Sequence, residues 1–212
     1  MHIDLCADMW YYFMNKEAYY MEFIQAIDDA ITYFMQDHLH NHFTETIMPL
    51  ITHLGTGGVI WIISSLLLMI KRKTRPVGVL MLLSLGIAAV VGNLMLKPMF
   101  SRVRPYLAHD DLILLIGAPM GTSFPSGHSI SSFATATALF MKKRVLGVIA
   151  LVIAFMIAFS RVFLFVHYFT DVLVGSLLGV VTAILVVKLL DKKITSLLDK
   201  IPPRISADKQ QA

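Results

Sequence analysis

Residues 145–190 read VLGVIALVIAFMIAFSRVFLFVHYFTDVLVGSLLGVVTAILVVKLL. Two apolar runs, Val145 to Phe159 and Val172 to Leu190, flank a stretch that carries Arg161, His167 and Asp171. A charged side chain at the centre of a bilayer costs about 2.5–3.5 kcal/mol even on insertion scales, so each of these groups needs a partner or a use. With flanking turns added, each run approaches the roughly 20 residues of a membrane-crossing helix. The pattern is therefore two spans joined by a short reversal, with the polar residues gathered at one membrane face.

The rest of the 212-residue chain has the same character: 57% hydrophobic, 15% charged, mean hydropathy +0.71. An average soluble domain is about 25% charged, so this composition excludes a soluble protein. Further apolar runs lie at 58–70, 76–96 and 129–141. The first reaches back toward Pro49 and the third begins near Ser126, which makes five expected spans. The fold class is all-α, a polytopic membrane helical bundle of about five transmembrane helices plus an N-terminal amphipathic helix. No linker, repeat or low-complexity tract divides it. The expected organisation is an extracytoplasmic segment 1–44, a transmembrane domain 45–192 and a cytoplasmic tail 193–212. The single cysteine, Cys6, has no disulfide partner and no metal-ligand spacing, and reads as a small apolar residue.

Orientation follows from the basic residues. Lys71, Arg72, Lys73 and Arg75 follow the first run, Lys142, Lys143 and Arg144 the third, and Lys188, Lys192, Lys193, Lys200, Arg204 and Lys209 the fifth. These are thirteen of the eighteen Lys and Arg residues, and all fall on one side, which the positive-inside rule makes cytoplasmic. The net charge of +4 is a topology signal, and no nucleic-acid partner is needed to explain it. Residues 1–55 hold eight acidic residues against one basic residue, Lys16, an outside-type balance. There Ile24, Ile27, Ile31, Phe34 and Met35 recur at helical spacing beside Asp28, Asp29 and Asp37, predicting an amphipathic helix in the outer interface, too polar to span. No signal-peptide pattern is present. His38, His40 and His42 read as a solvated interfacial run, since no carboxylate or cysteine completes a metal set.

Apart from Lys16, the remaining cations, Lys97, Arg102, Arg104 and Arg161, lie on the outer side against that bias. Lys97 and Arg161 end the second and fourth spans, and Pro105 fixes the chain after Arg104. Their client is a polyanion such as phosphate, or else lipid headgroups. In SFPSGHSISS, residues 123–132, Pro125 precedes the third span and Ser126, Gly127 and His128 occupy its first turn. Free backbone N–H groups and the helix dipole favour an anion there, and His128 can exchange a proton beside it. His167 and Asp171 are four residues apart, neighbours if one helical turn holds both, so that Asp171 orients the imidazole.

KPMFSRVRP from Lys97, PSGH from Pro125 and SRVFLFVH from Ser160 with Asp171 together resemble the three-part signature of the type 2 phosphatidic acid phosphatase (PAP2) family: Lys, six residues, Arg-Pro; Pro-Ser-Gly-His; Ser-Arg, five residues, His, three residues, Asp. All three match in order and spacing, across about residues 45–190. The resemblance implies a PAP2/haloperoxidase-like six-helix core in which His167 is the nucleophile that becomes phosphohistidine, Asp171 its orienting partner and His128 the acid for the leaving group. It further implies phosphate binding by Lys97, Arg104, Ser126, Gly127 and Arg161. Phe165 and Phe169 stand where many relatives carry glycine and proline, and the acidic amphipathic segment stands where a first hydrophobic span is usual.

Phosphoryl transfer needs positioning and charge neutralisation, which cations and helix N–H groups supply without a metal or other cofactor. Asp110 and Asp111 lie alone in the outer loop, and Arg102 reads as a structural or headgroup contact. A vanadium haloperoxidase is disfavoured because those enzymes are soluble, and a lipid-binding or transport protein because it would not need the His167/Asp171 pair. The expected partners are the membrane and a phospholipid or polyprenyl (pyro)phosphate substrate that reaches an outward-facing site past the apolar loop LILLIGAPM, residues 112–120. Undecaprenyl pyrophosphate leads, with phosphatidylglycerol phosphate or phosphatidic acid as alternatives, in a multi-pass protein of the cell (cytoplasmic) membrane.

Overall fold

The computed structural model describes residues 5–200, with side chains from residue 19 onward. Arg204, Lys209 and the rest of the tail beyond 200 lie outside the described residues, as does the Cys6 side chain. Among the described residues every regular element is helical: α1 (Leu5–Leu39), α2 (His42–Leu54), α3 (Val59–Ile70), α4 (Arg75–Ala89), α5 (Pro105–Ala108), α6 (Gly127–Lys142), α7 (Arg144–Phe163) and α8 (Phe169–Asp199). Short turns join α2 to α3, and α4 continues through a π-helical segment, Val90–Leu96, and a 3-10 turn, Lys97–Met99.

Three stretches are long and apolar enough to cross a membrane: Arg75–Met99, Arg144–Phe163 and Phe169–Asp199. The first expected span is a pair, His42–Leu54 and Thr56–Ile70, bent by 42°. The third, α6, is only 16 residues long and is the centre of the bundle, packed against α4, α7 and α8. Because protein surrounds it, its sequence need not match lipid. Its serines and threonines are instead satisfied inside the bundle: Thr135 Oγ1 donates to the Ser131 carbonyl at 2.9 Å, and the Trp61 indole donates to Ser132 at 3.0 Å. A Cβ added at Gly179 would lie 2.5 Å from the Ile130 carbonyl oxygen, so α8 approaches α6 backbone to backbone. The lipid-type face is outside, as Leu173, Leu177, Val181 and Leu185 form an exposed i, i+4 stripe along α8.

Lys142 bonds Asp191 at 2.7 and 2.8 Å, and Arg72 donates to the Asp199 carbonyl at 3.0 Å. These contacts gather the three basic clusters at one end of the bundle. The starts of α6 and α8 and the end of α7 lie at the other. Helix α8 passes residue 193 without a break.

Two expectations about the N-terminal segment are corrected. Asp28, expected on a solvated polar face, is wholly buried with Thr32, while Ile24, Ile27 and Phe34 are exposed. The helix turns its polar side toward the bundle because Arg102 and the start of α8 offer Asp28 partners there. Ile31 and Met35 pack against Ala158, Val162 and Val172. His40 is not solvated: its ring stacks on Phe163 at 4.1 Å and Phe165 at 4.9 Å, and its Nε2 lies 3.2 Å from the Phe163 carbonyl.

Candidate active site

Three chain reversals build the site. Ser126 is the N-cap of α6, its hydroxyl accepting from the Ser129 hydroxyl at 2.9 Å, and its own N–H donates to the Asp171 carbonyl at 3.1 Å. The beginnings of α6 and α8 are thereby tied together. Between α7 and α8 the chain turns through residues 164–168, with Phe165 at φ +55°, a conformation that favours glycine. Stacking on His40 and the bond from Tyr106 N–H to the Phe165 carbonyl at 3.1 Å hold this turn. Phe169 is the first residue of α8, a position suited to proline. The two departures from the usual motif thus occupy backbone positions that explain the residues they replace.

His167 lies in that turn and not in a helix. The expected neighbourhood of His167 and Asp171 within one helical turn is corrected: the turn folds back over the start of α8, leaving His167 Nδ1 3.8 Å from Asp171 Oδ2, beyond hydrogen-bond length. Ser123 bridges them, donating to Asp171 Oδ2 at 2.5 Å with its oxygen 3.5 Å from Nδ1. The Tyr168 N–H also donates to Oδ2, at 3.0 Å. Burial, with the Arg161 and Arg104 guanidiniums nearby, pushes the His167 imidazole down to about 3 despite the opposing pull of Asp171. The ring is therefore neutral at physiological pH, with a lone pair available.

Arg104 is anchored by carbonyls of Gly121 at 3.0 Å, Met120 at 3.2 Å and Val166 at 2.6 Å, and its Nη1 lies 3.3 Å from His167 Nε2. Arg161 donates to Thr52 at 2.7 Å, and its Nε, like His128 Nε2, is buried with no protein partner. Both residues line one cleft of about 630 Å³ with Lys97, Arg104, Gly127 and His167. An unpartnered guanidinium donor and an unpartnered imidazole nitrogen, buried in a cationic cleft, suit an oxyanion. Gly127 keeps the cleft open, since a Cβ there would lie 3.1 Å from Asn93 Oδ1. Ser126, by contrast, is fully buried and caps the helix.

Six of the eight residues singled out from the sequence line the cleft, Asp171 and Ser126 lie buried behind it, and the structure adds others. Asn93, on the π-helical segment, lines the cleft. A polar residue four before Lys97 in an apolar span was the available signal. Ser123, Thr52 and Asp28 lie beside ordinary residues and gave none. Arg102 proves to be an internal contact and not a headgroup contact, reaching Asp171 at 2.7 Å and Asp28 at 2.6 Å. The cleft's apolar wall comes from Ile62 of α3 and Leu82, Leu85 and Ala89 of α4. Of the 112–120 loop only Pro119 and Met120 line it, while Leu114, Leu115 and Ile116 pack against Phe163 and Val166. Among the described residues no group of three or more His, Cys, Asp or Glu side chains could hold a metal ion.

Comparison with known proteins identifies the family and the fold. The PAP2 superfamily model matches residues 77–195. An undecaprenyl-diphosphatase from Sulfolobus acidocaldarius is 33% identical over 97 residues, 44% of this chain and 47% of that protein, so the chain spans about half the length of this curated relative. Among solved structures, a transmembrane PAP2-type phosphatidylglycerolphosphate phosphatase from Bacillus subtilis has a TM-score of 0.68 at 31% identity, covering 88% of this chain and 94% of that one. LpxE from Aquifex aeolicus has a TM-score of 0.62 at 26% identity, over 75% and 93%. With more than half its length inside the family model and a similar helical bundle, the chain belongs to the PAP2 superfamily and is a multi-pass membrane protein.

Proposed function

We propose that the protein hydrolyses the phosphate ester or pyrophosphate of a membrane lipid at the extracytoplasmic face, through a phosphohistidine on His167, with undecaprenyl pyrophosphate as substrate. The observation that carries this reading is the cleft itself, in which the cations Lys97, Arg104 and Arg161 and both histidines are continuous with an apolar wall from α3 and α4. Headgroup and chain of a lipid match those two halves. Orientation is supported by the gathering of the basic clusters at the opposite end of the bundle.

Arginine can only donate, so its contact at 3.3 Å assigns the His167 lone pair to Nε2 and the ring proton to Nδ1, toward Ser123 and Asp171. Nε2 attacks phosphorus, the bond to the leaving oxygen breaks, and His128 transfers its proton to that oxygen. Water then attacks the phosphohistidine, giving its proton to His128 as the N–P bond breaks and phosphate leaves. Lys97, Arg104, Arg161 and the α6 N-terminus carry the charge of the equatorial oxygens, as a metal would elsewhere.

Purified protein tests this reading with undecaprenyl pyrophosphate, phosphatidylglycerol phosphate and phosphatidic acid side by side. The highest kcat/KM is expected for the pyrophosphate, with activity retained in EDTA and inhibited by vanadate. The Bacillus subtilis neighbour favours a second reading, phosphatidylglycerol phosphate, which wins if that lipid has the higher kcat/KM. Turnover restored by magnesium after chelation would contradict the metal-free step. Cysteine introduced at position 143 is expected to resist labelling from outside intact cells, whereas one at 110 is labelled; the reverse pattern inverts the topology.

Gly55, between α2 and α3, offers a local test. A Cβ there would lie 2.7 Å from Ile157 Cγ2 and 2.8 Å from the His128 ring. Gly55→Ala is expected to displace that ring and lower kcat about 10- to 100-fold, since misplacement by about 1 Å costs that much. Unchanged kcat would show that His128 tolerates the shift and is not held for proton transfer.

A further inference from the structure

Asp28 lies on α1, outside all three sequence motifs, yet its carboxylate is wholly buried beside the residues that hold the catalytic turn. It accepts from Arg102 Nη2 at 2.6 Å, from the Thr170 N–H at 2.9 Å and from the Thr170 hydroxyl. Thr170 is the second residue of α8 and immediately precedes Asp171. The carboxylate therefore binds a free N–H in the first turn of α8, where a negative charge is favoured. Arg102 spreads its fork between two carboxylates: Nη2 goes to Asp28 and to Gln25 Oε1 at 2.8 Å, while Nη1 goes to Asp171 Oδ1 at 2.7 Å and Thr170 Oγ1 at 2.8 Å. The Tyr168 ring lies beneath the guanidinium, 4.1 Å away, and restricts it to that plane.

Resting on the phosphatase reading, we propose that Asp28 is a positioning residue for His167, acting through Arg102, Thr170 and Asp171. With one arm of Arg102 held by Asp28, only the other reaches Asp171, and it takes Oδ1. That leaves Oδ2 to Ser123, the Tyr168 N–H and the face of His167 Nδ1. Without the Asp28 charge, both arms of Arg102 turn to Asp171 and draw Oδ2 away from the imidazole. Helix α1 is then a working part of the active site, and its buried polar side is explained by this contact.

The test compares Asp28→Asn, Arg102→Ala, the double variant and Asp29→Asn in the purified full-length protein. Asp29 lies on the same helix, pairs with His109 at 3.1 Å and accepts from Gln25 at 2.7 Å, so its replacement loosens α1 while removing no direct carboxylate partner of Arg102, which it reaches only through Gln25. Asp28→Asn is expected to lower kcat about 10- to 100-fold, the range for losing a group that orients a functional ligand, with KM within about 2-fold. The double variant is expected to be no slower than the slower single variant, because both act on one carboxylate. Arg102→Ala is also expected to move the acid limb of kcat/KM to higher pH. His167 is faced by Asp171 and Ser123 on one side and by Arg104, Arg161 and His128 on the other; of these only Asp171 loses its Arg102 partner, and the Asp28 charge that the change also unpairs acts on the imidazole in the same direction. Wild-type rates in Asp28→Asn, multiplying losses in the double variant, or an equal loss in Asp29→Asn with matching loss of thermal stability would each overturn the proposal. Absence of turnover in the wild-type protein on every lipid phosphate would overturn the phosphatase reading and this inference with it, whereas wild-type turnover with an unaffected Asp28→Asn sinks the inference alone.

Discussion

His167→Ala is expected to abolish turnover, lowering kcat by about 10⁴-fold or more, as loss of a covalent nucleophile does. The side chain is 2% exposed, its Nε2 opens on the cleft beside Arg104, and burial keeps it neutral at physiological pH. No other described side chain of the cleft combines a free lone pair with that position, because Lys97, Arg104 and Arg161 are cations and His128 approaches from α6. Phosphate release measures the loss directly. Acid-labile, base-stable labelling of the chain by substrate checks the intermediate, which the wild type forms and the variant does not. Residual activity above about 1% of wild type would remove His167 from the nucleophile's role, since the site without its nucleophile retains far less.

The second large effect is expected at His128. Its Nε2 is buried without a protein partner, and the residue lines the same cleft as His167. If it serves as the proposed acid of the first step and base of the second, its removal costs about 10²- to 10⁴-fold in kcat on a lipid monoester, whose alkoxide leaves poorly unprotonated. An aryl phosphate needs little protonation of its leaving oxygen, so His128→Ala is expected to form the phosphohistidine from it at a nearly normal rate and then stall, accumulating the labelled chain. Rapid-quench experiments read both phases. An equal loss on both substrates with no accumulation would mean that His128 only binds phosphate.

Both predictions concern residues legible in the sequence. The apolar runs, the basic clusters and the histidine at a helix start are local patterns, because hydropathy and helix capping act over one to five turns of chain. Family membership was likewise readable, since the three motifs keep their spacing whatever the fold brings between them. The membrane class, the helical bundle and the choice of eight candidate site residues rest on such signals.

What only the tertiary structure decided involves residues far apart in the chain. Helix α6 looks like a weak span and proves to be the buried centre, because its hydroxyls are satisfied by neighbours that hydropathy does not register. Asp28 looks like a solvated charge and is buried, because Arg102, 74 residues away, supplies its counter-charge. The His167/Asp171 pair depends on Ser123, 48 residues before Asp171, and not on helical spacing. The cleft's apolar wall is formed by α3 and α4, while Leu114, Leu115 and Ile116 of the loop that looked apolar enough to serve pack inward against Phe163 and Val166. In each case one-dimensional hydropathy identifies a side chain's own cost of burial, but whether that cost is met depends on which partner the fold places within about 3 Å.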